Sequence, residues 1–162
     1  KPFAPEPVVG LLIGQGIELR TDDPVLSFAQ WALEPSDPQV YDPMVTGRHV
    51  LMMQGIVDHY ILPPIANATS LSGKLDLAGG SLDHTTGELG AYRPLRTMLP
   101  LSGGQEVDLP AGGTGTTRLV VQYLEDGVED GHEVVFQLGE PKRHYRCFLR
   151  TWAQAGVPTV CE

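Results

Sequence analysis

The chain has 162 residues, 41% hydrophobic and 19% charged, which suits one soluble domain able to bury a core without staples. Its formal net charge is −9, from 11 Lys and Arg against 20 Asp and Glu, which argues against a nucleic-acid partner or docking on an anionic membrane, since both select basic surfaces. No apolar run reaches the length of a membrane span, and 19 glycines with 14 prolines announce many connections and few long helices.

Residues Lys1 to Pro7 carry three prolines and read as an irregular lead-in. "EPVVGLLIGQGIEL" is apolar enough for a short buried helix, weakened by its glycines. "DDPVLSFAQWALEPSDP" is a cleaner helix: Asp23 caps it, Pro24 suits the first turn, and Val25, Phe28, Ala29 and Ala32 share one face. Pro35 and Pro38 close it. "RHVLMMQG" then reads as a buried strand, a short apolar run ended by glycine. After Asp58, "PPIANATSLSGKL" is a helix opening on Pro63 and Pro64 and ending near Gly73.

From Asp76 to Thr116 the chain turns rich in Gly, Thr and Pro, with short candidate strands "GAYRPL" and "QEVDLP", and reads as a β-rich insertion. "TRLVVQYLE" is a second buried strand. "GEPKRHYRCFLRTWAQAG" is the last helix, with Tyr145, Phe148, Leu149 and Trp152 at core spacing and Gly156 and Pro158 as its stop. Strand, crossover helix, insertion, strand, helix favours parallel pairing in an α/β layer fold. Two strands do not complete such a sheet.

Sites in open parallel sheets lie beyond the C-terminal ends of the strands. Two such ends are legible, "QGIVDHYILPP" carrying Asp58 and "LEDGVEDGHEVVF" carrying His132. If the strands are neighbours, the loops face each other. A histidine acting as general base needs a carboxylate on its far ring nitrogen. Singly, Asp58 reads equally well as a turn residue or helix cap, and His132 as an exposed loop histidine.

These segments resemble the α/β-hydrolase family. "HVLMMQGIVDHYILPP" is similar to its acid-bearing strand end, G-x-x-D followed by proline and a helix. "EDGHEVVFQLGEPKRHYRCFLRTWAQAG" is similar to its histidine loop, a Gly-His pair leading into the final helix. The resemblance covers about Arg48 to Leu75 and Thr117 to Pro158. It implies an esterase- or lipase-like carboxylic ester hydrolase with Asp58 as triad acid and His132 as triad base, and no cofactor. Residues 1–46 would be its helical lid, and 47–162 the C-terminal core with an insertion at about 76–116.

The family's nucleophile elbow, G-x-S-x-G, is missing. Ser27, Ser36, Ser70, Ser72, Ser81 and Ser102 all lack the strand-turn-helix context. With a chain that opens on Lys1, this leads us to expect an N-terminal hydrolase segment or chain bearing the serine. Phe28, Trp31 and Tyr41 on the lid, and Tyr60 beside Asp58, are candidates to line an apolar substrate pocket, or simply to pack the helices.

Other patterns weigh less. "LSGGQ" at Leu101 to Gln105 spells a transporter ATPase signature, without the phosphate loop that function needs. Asp58, Asp130 and His132 could form an Asp/His metal site, and Glu125 to Asp130 a Ca²⁺ loop, but the usual ligand spacings are absent. His49 and His144 read as surface or packing residues. A non-catalytic binding module with a hydrolase-like fold is the alternative from another class. Cys147 and Cys161 are either two thiols or a disulfide tying the tail to the last helix. A bridge points to a secreted, periplasmic or cell-envelope protein, and is favoured because a lone thiol on the polar terminus would be exposed.

Overall fold

The computed structural model describes residues 14–16, 23–84, 93–98 and 116–161. Its elements are α1 (Pro24–Leu33), α2 (Pro38–Tyr41), β1 (Val50–Ile56), α3 (Pro63–Ser72), β2 (Asp76–Ala78), β3 (Arg118–Leu124), α4 (Val134–Gln137) and α5 (Gly139–Ala155). Single 3₁₀ turns lie at Glu34–Ser36, Asp42–Met44, Leu95–Thr97 and Gly131–Glu133. The expected helix in "EPVVGLLIGQGIEL" lies outside the described residues apart from 14–16.

The three strands form one parallel sheet in the order β1-β3-β2, so the chain is α/β in class. β1 and β3 pair along their whole length, from Val50↔Arg118 to Ile56↔Leu124. The period of two along each strand builds a core on both faces. Leu119, Val121 and Tyr123 pack with Ala78, Val134, Phe148 and Val160, while Val120 packs with Leu75, Leu77 and Leu95.

The segment from Asp76 corrects the expected insertion at its start. Asp76–Ala78 is a core strand paired to Leu119–Val121, too short to show a periodic pattern in sequence. "QEVDLP" lies outside the described residues, as does the start of "GAYRPL"; the end of the latter, Leu95, opens a 3₁₀ turn rather than a strand.

The face of α5 is also corrected. Pro141, His144, Cys147 and Phe148 are its buried residues, whereas Leu149 and Trp152 are more than half exposed. His144, at 1% exposure, bonds Tyr123 Oη on β3 through Nδ1 at 2.7 Å. A polar residue therefore marks the inward face, and hydrophobicity alone rotates the helix wrongly. Gly156, in the left-handed region at φ 73°, ends α5 as expected, its N–H donating to Trp152 O. Cys147 and Cys161 stand at disulfide distance, with Cα atoms 5.8 Å apart, and Val160 beside them is fully buried.

Residues 38–45 are tied to the core. Gln39 donates to Ile65 O and accepts at its carbonyl from Ser72 Oγ, and Arg118 donates to Val45 O and Gly73 O. Upstream, Asp23 accepts from Val25 N, as the cap reading expects, but α1 leaves Phe28 and Trp31 69% exposed each. No helix among the described residues is long and apolar enough to cross a membrane.

At the C-terminal end of the sheet the second face becomes polar. The register partners Gln54 and Gln122 bond each other at 3.0 Å, and Gln54 donates to Asn67 on α3 at 2.9 Å. Gln122 Oε1 accepts from Leu82 N and Asp83 N. Asp83, 3% exposed, accepts from Asn67 Nδ2, Ser81 Oγ and Leu95 N. Such a network rigidifies only when every member is satisfied.

Asp83→Ala should therefore cost about 3 kcal/mol or more, since three buried donors lose their acceptor at roughly 1–3 kcal/mol each. Thermal unfolding checks this against Ser81→Ala, which removes one donor and should cost clearly less. His144 gives a second expectation. Burial is the largest influence on its imidazole and lowers its pKa below 6.5; Glu140 opposes this and Arg143 adds to it. The unfolded chain then binds the proton more readily, so stability is full above the ordinary value and falls as pH drops below it. Melts between about pH 7 and about pH 5 should show this acid limb, and His144→Gln should flatten it.

Candidate functional site

Because β1 and β3 end side by side, their outgoing loops meet. β1 leaves through Val57, a β-branched residue at φ 64°, a conformation that L side chains adopt only under strain. The turn aims Asp58 across the sheet end. Its Oδ1 accepts from Tyr60 N at 2.7 Å and Ile61 N at 2.8 Å, which folds its own loop back toward α3. Its Oδ2 lies 3.1 Å from His132 Nδ1. Asp58 is 8% exposed, while the His132 side chain is 43% exposed. Tyr60 lies against the His132 ring, with centroids 5.0 Å apart.

The second loop is shaped by its own acids. Asp126 accepts from Val128 N and Glu129 N, and these bonds hold its carboxyl below the usual carboxylate range. Asp130 caps the 3₁₀ turn, accepting from His132 N at 2.9 Å. It also reaches the first loop, accepting from His59 N at 3.2 Å and meeting His59 Nδ1 at 2.7 Å. Burial alone would raise its carboxyl pKa, but the bonds from His132 and His59 outweigh it and hold the group low.

Two glycines let the loops close. Gly131 N donates to Val57 O at 3.3 Å, so the second loop lies directly on the end of β1. A Cβ on Gly131 would sit 2.5 Å from Ile56 O and 3.0 Å from Asp58 N. A Cβ on Gly55 would run into the Gly131 carbonyl. Backbone rests on backbone here, and only residues without a side chain permit it.

Beside the Asp58–His132 pair lies a cavity of about 250 Å³, lined among others by Met53, Gly55, Ile61, Ala66 and Val134. The consecutive residues Met52 to Gly55 all border it. Strand side chains alternate between faces, so a continuous run borders one space only along the strand's edge. The cavity therefore follows the edge of β1 away from β3, which has no partner strand among the described residues.

Of the residues singled out from sequence, Asp58, His132 and Tyr60 come together. Phe28 and Trp31 line a separate surface depression with Pro24 and Ser27, and Trp31 joins Tyr41 in another of about 380 Å³ that holds no acid–base pair. His49 accepts from Thr117 N. Among the described residues no three His, Cys, Asp or Glu side chains converge as a metal site.

Sequence reasoning missed Gly55 and Gly131 as contact residues, and the tie between Asp130 and His59. The doubled pattern Asp58-His59 and Asp130-x-His132 was the available signal for the tie. Comparison with protein-family models, curated proteins and solved structures finds no match to this chain.

Gly131→Ala should cost about 1–3 kcal/mol through overpacking against backbone that cannot yield. Gly139→Ala, where an added Cβ meets nothing within 4 Å, is the control and should change the melting temperature little. Equal melting temperatures for the two variants would refute the close approach.

Proposed function

We propose that this chain supplies the acid and base of a serine hydrolase acting on a carboxylic ester or related acyl bond. The observation that carries the reading is the division of labour at Asp58. One carboxylate oxygen is occupied by two loop amides, and the other is held at His132 Nδ1. A carboxylate on Nδ1 selects the tautomer that leaves Nε2 free to accept a proton. No hydrogen bond to His132 Nε2 is made by the described residues. The ring is partly exposed beside an apolar cavity, which suits a base that must meet both nucleophile and substrate.

In this mechanism a serine hydroxyl from a further segment approaches Nε2 and attacks the acyl carbonyl. His132 takes the hydroxyl proton and returns it to the leaving alcohol. Asp58 keeps the ring oriented and stabilises the imidazolium, without being protonated itself. Donors for the oxyanion would come with the same further segment. The open edge of β1 beside the pair is where such a segment has room. The lid role of residues 1–46 and the apolar character of the substrate belong to this reading. The Cys147–Cys161 pair is in keeping with a secreted or envelope setting.

The absence of a described hydroxyl or thiol at Nε2 favours one other reading, a binding module that retains the pair without turnover. A serine-directed fluorophosphonate separates them when applied to protein isolated from its native source and read by intact mass. We expect a serine-labelled segment associated with this chain, and no labelling of the chain alone. In the labelled assembly His132→Ala should abolish both labelling and ester turnover, and Asp58→Asn should lower kcat by about 10³–10⁴-fold. Wild-type turnover in both variants would overturn the site assignment, and the absence of any labelled serine would leave the binding module standing.

A further inference from the structure

The two loops carry a second Asp–His pair, crossed with the first. Asp58 and His59 are neighbours on the loop after β1, and Asp130 and His132 lie together on the loop after β3. Asp58 reaches forward to the His132 ring, and Asp130 reaches back to His59. Asp130 also accepts from two backbone amides on different loops, His132 N at 2.9 Å and His59 N at 3.2 Å. A single carboxylate thus spans the gap between the loops, bonded to the backbone of the histidine proposed as base. Its side chain is only 20% exposed.

The 3.1 Å contact of Asp58 with His132 is by itself long for a charge-assisted bond, which commonly falls at about 2.7–2.9 Å. The Tyr60 ring packs on one side of His132, but the His132 side chain remains 43% exposed. Something must set the distance between the two loops, and three contacts bear on it. One is the Gly55–Gly131 contact, which sets a minimum separation. The other two attract: the single bond from Gly131 N to Val57 O, long at 3.3 Å, and Asp130, which bonds His132 N on one loop and His59 N and Nδ1 on the other.

We infer that Asp130, through its bonds to His59 and to the His132 backbone, is a positioning residue that holds His132 in register with Asp58. The inference rests on the acid–base reading of Asp58 and His132 given above. It assigns Asp130 no contact with substrate. The tie holds the loop separation at which Asp58 Oδ2 reaches Nδ1, so His132 is kept as its Nδ1–H tautomer with Nε2 unprotonated. A free neutral imidazole has no such constraint.

The test is ¹⁵N NMR of histidine-labelled chain at about pH 8, where an ordinary imidazole is neutral. The ring-nitrogen shifts of His132, assigned by its loss in His132→Ala, report which nitrogen carries the proton. Asp130→Ser is the informative variant. Serine still caps the 3₁₀ turn through His132 N, so the local fold survives, but it is too short to hold His59 as well. Asp130→Asn restores both reaches, because its oxygen accepts the amides and its NH₂ can donate to His59 Nδ1.

Wild type and Asp130→Asn should show His132 almost wholly as Nδ1–H, and Asp130→Ser should lose most of that form. In the assembled enzyme Asp130→Ser should lower kcat on the order of 10²-fold with KM little changed. If Asp130→Ser keeps the Nδ1–H form, the tie is only structural and the inference fails while the site reading stands. If wild type itself lacks that form, and Asp58→Asn changes nothing, the site reading fails and takes the inference with it.

Discussion

The parallel pairing of β1 with β3 is the constraint on which the rest of the site depends. The strands run together for their full length, so Ile56 and Leu124 finish side by side and both outgoing loops start from the same edge of the core. Parallel pairing needs a long connection between the two strands, and α3, β2 and the residues up to Thr116 supply it. An antiparallel pair would send the loops to opposite ends of the sheet. Asp58 and His132, 74 residues apart in sequence, meet because the register is flush.

The same pairing imposes a cost that the sequence visibly meets. The loops leave adjacent strands at strand spacing, yet Asp58 Oδ2 and His132 Nδ1 must come within bonding distance. That requires the second loop to lie on the end of the first strand. Glycine at 55 and 131 removes the side chains that would prevent it, and the strained turn at Val57 directs the first loop into it. Behind the loops, the Gln54–Gln122 pair and its ring of bonds to Asn67 and Asp83 stop the strand ends from splaying. The polar network stiffens the platform, and the loop contacts aim the side chains. The two functions are separable, since no residue of the ring except Gln54 borders the cavity.

Much of this was legible in the sequence, and the failures have a common cause. β1 and β3 were readable because each buries a strong apolar run between clear breakers, and α3 because Pro63 and Pro64 open it and Gly73 ends it; the strand-end position of Asp58 and His132 followed from the strands. β2 was not, because three residues carry no periodicity and its burial is decided by β3. The α5 face was misjudged because the helix buries His144 against Tyr123 and leaves Leu149 and Trp152 exposed, a choice set by tertiary partners. Phe28 and Trp31 are too exposed to support an inference of packing from their spacing alone. Sequence pattern reads what each segment buries by itself, and it is silent where a distant segment decides.

Asp58 illustrates why the turn residue and the candidate catalytic acid were never true alternatives. A carboxylate has two oxygens, and a residue that must present one of them at a fixed point needs the other held. The amides of Tyr60 and Ile61 hold Oδ1, so the loop's own turn orients Oδ2 toward His132. The local signature of a turn is therefore also what places Oδ2 at the His132 ring, and an asparagine would keep the turn while losing the charge. Asp130 repeats the arrangement with one oxygen on the His132 amide and the other on the His59 ring. In both loops the acid that folds its own backbone also crosses to the facing histidine, and this is why two short, polar segments can hold a geometry that neither could keep alone.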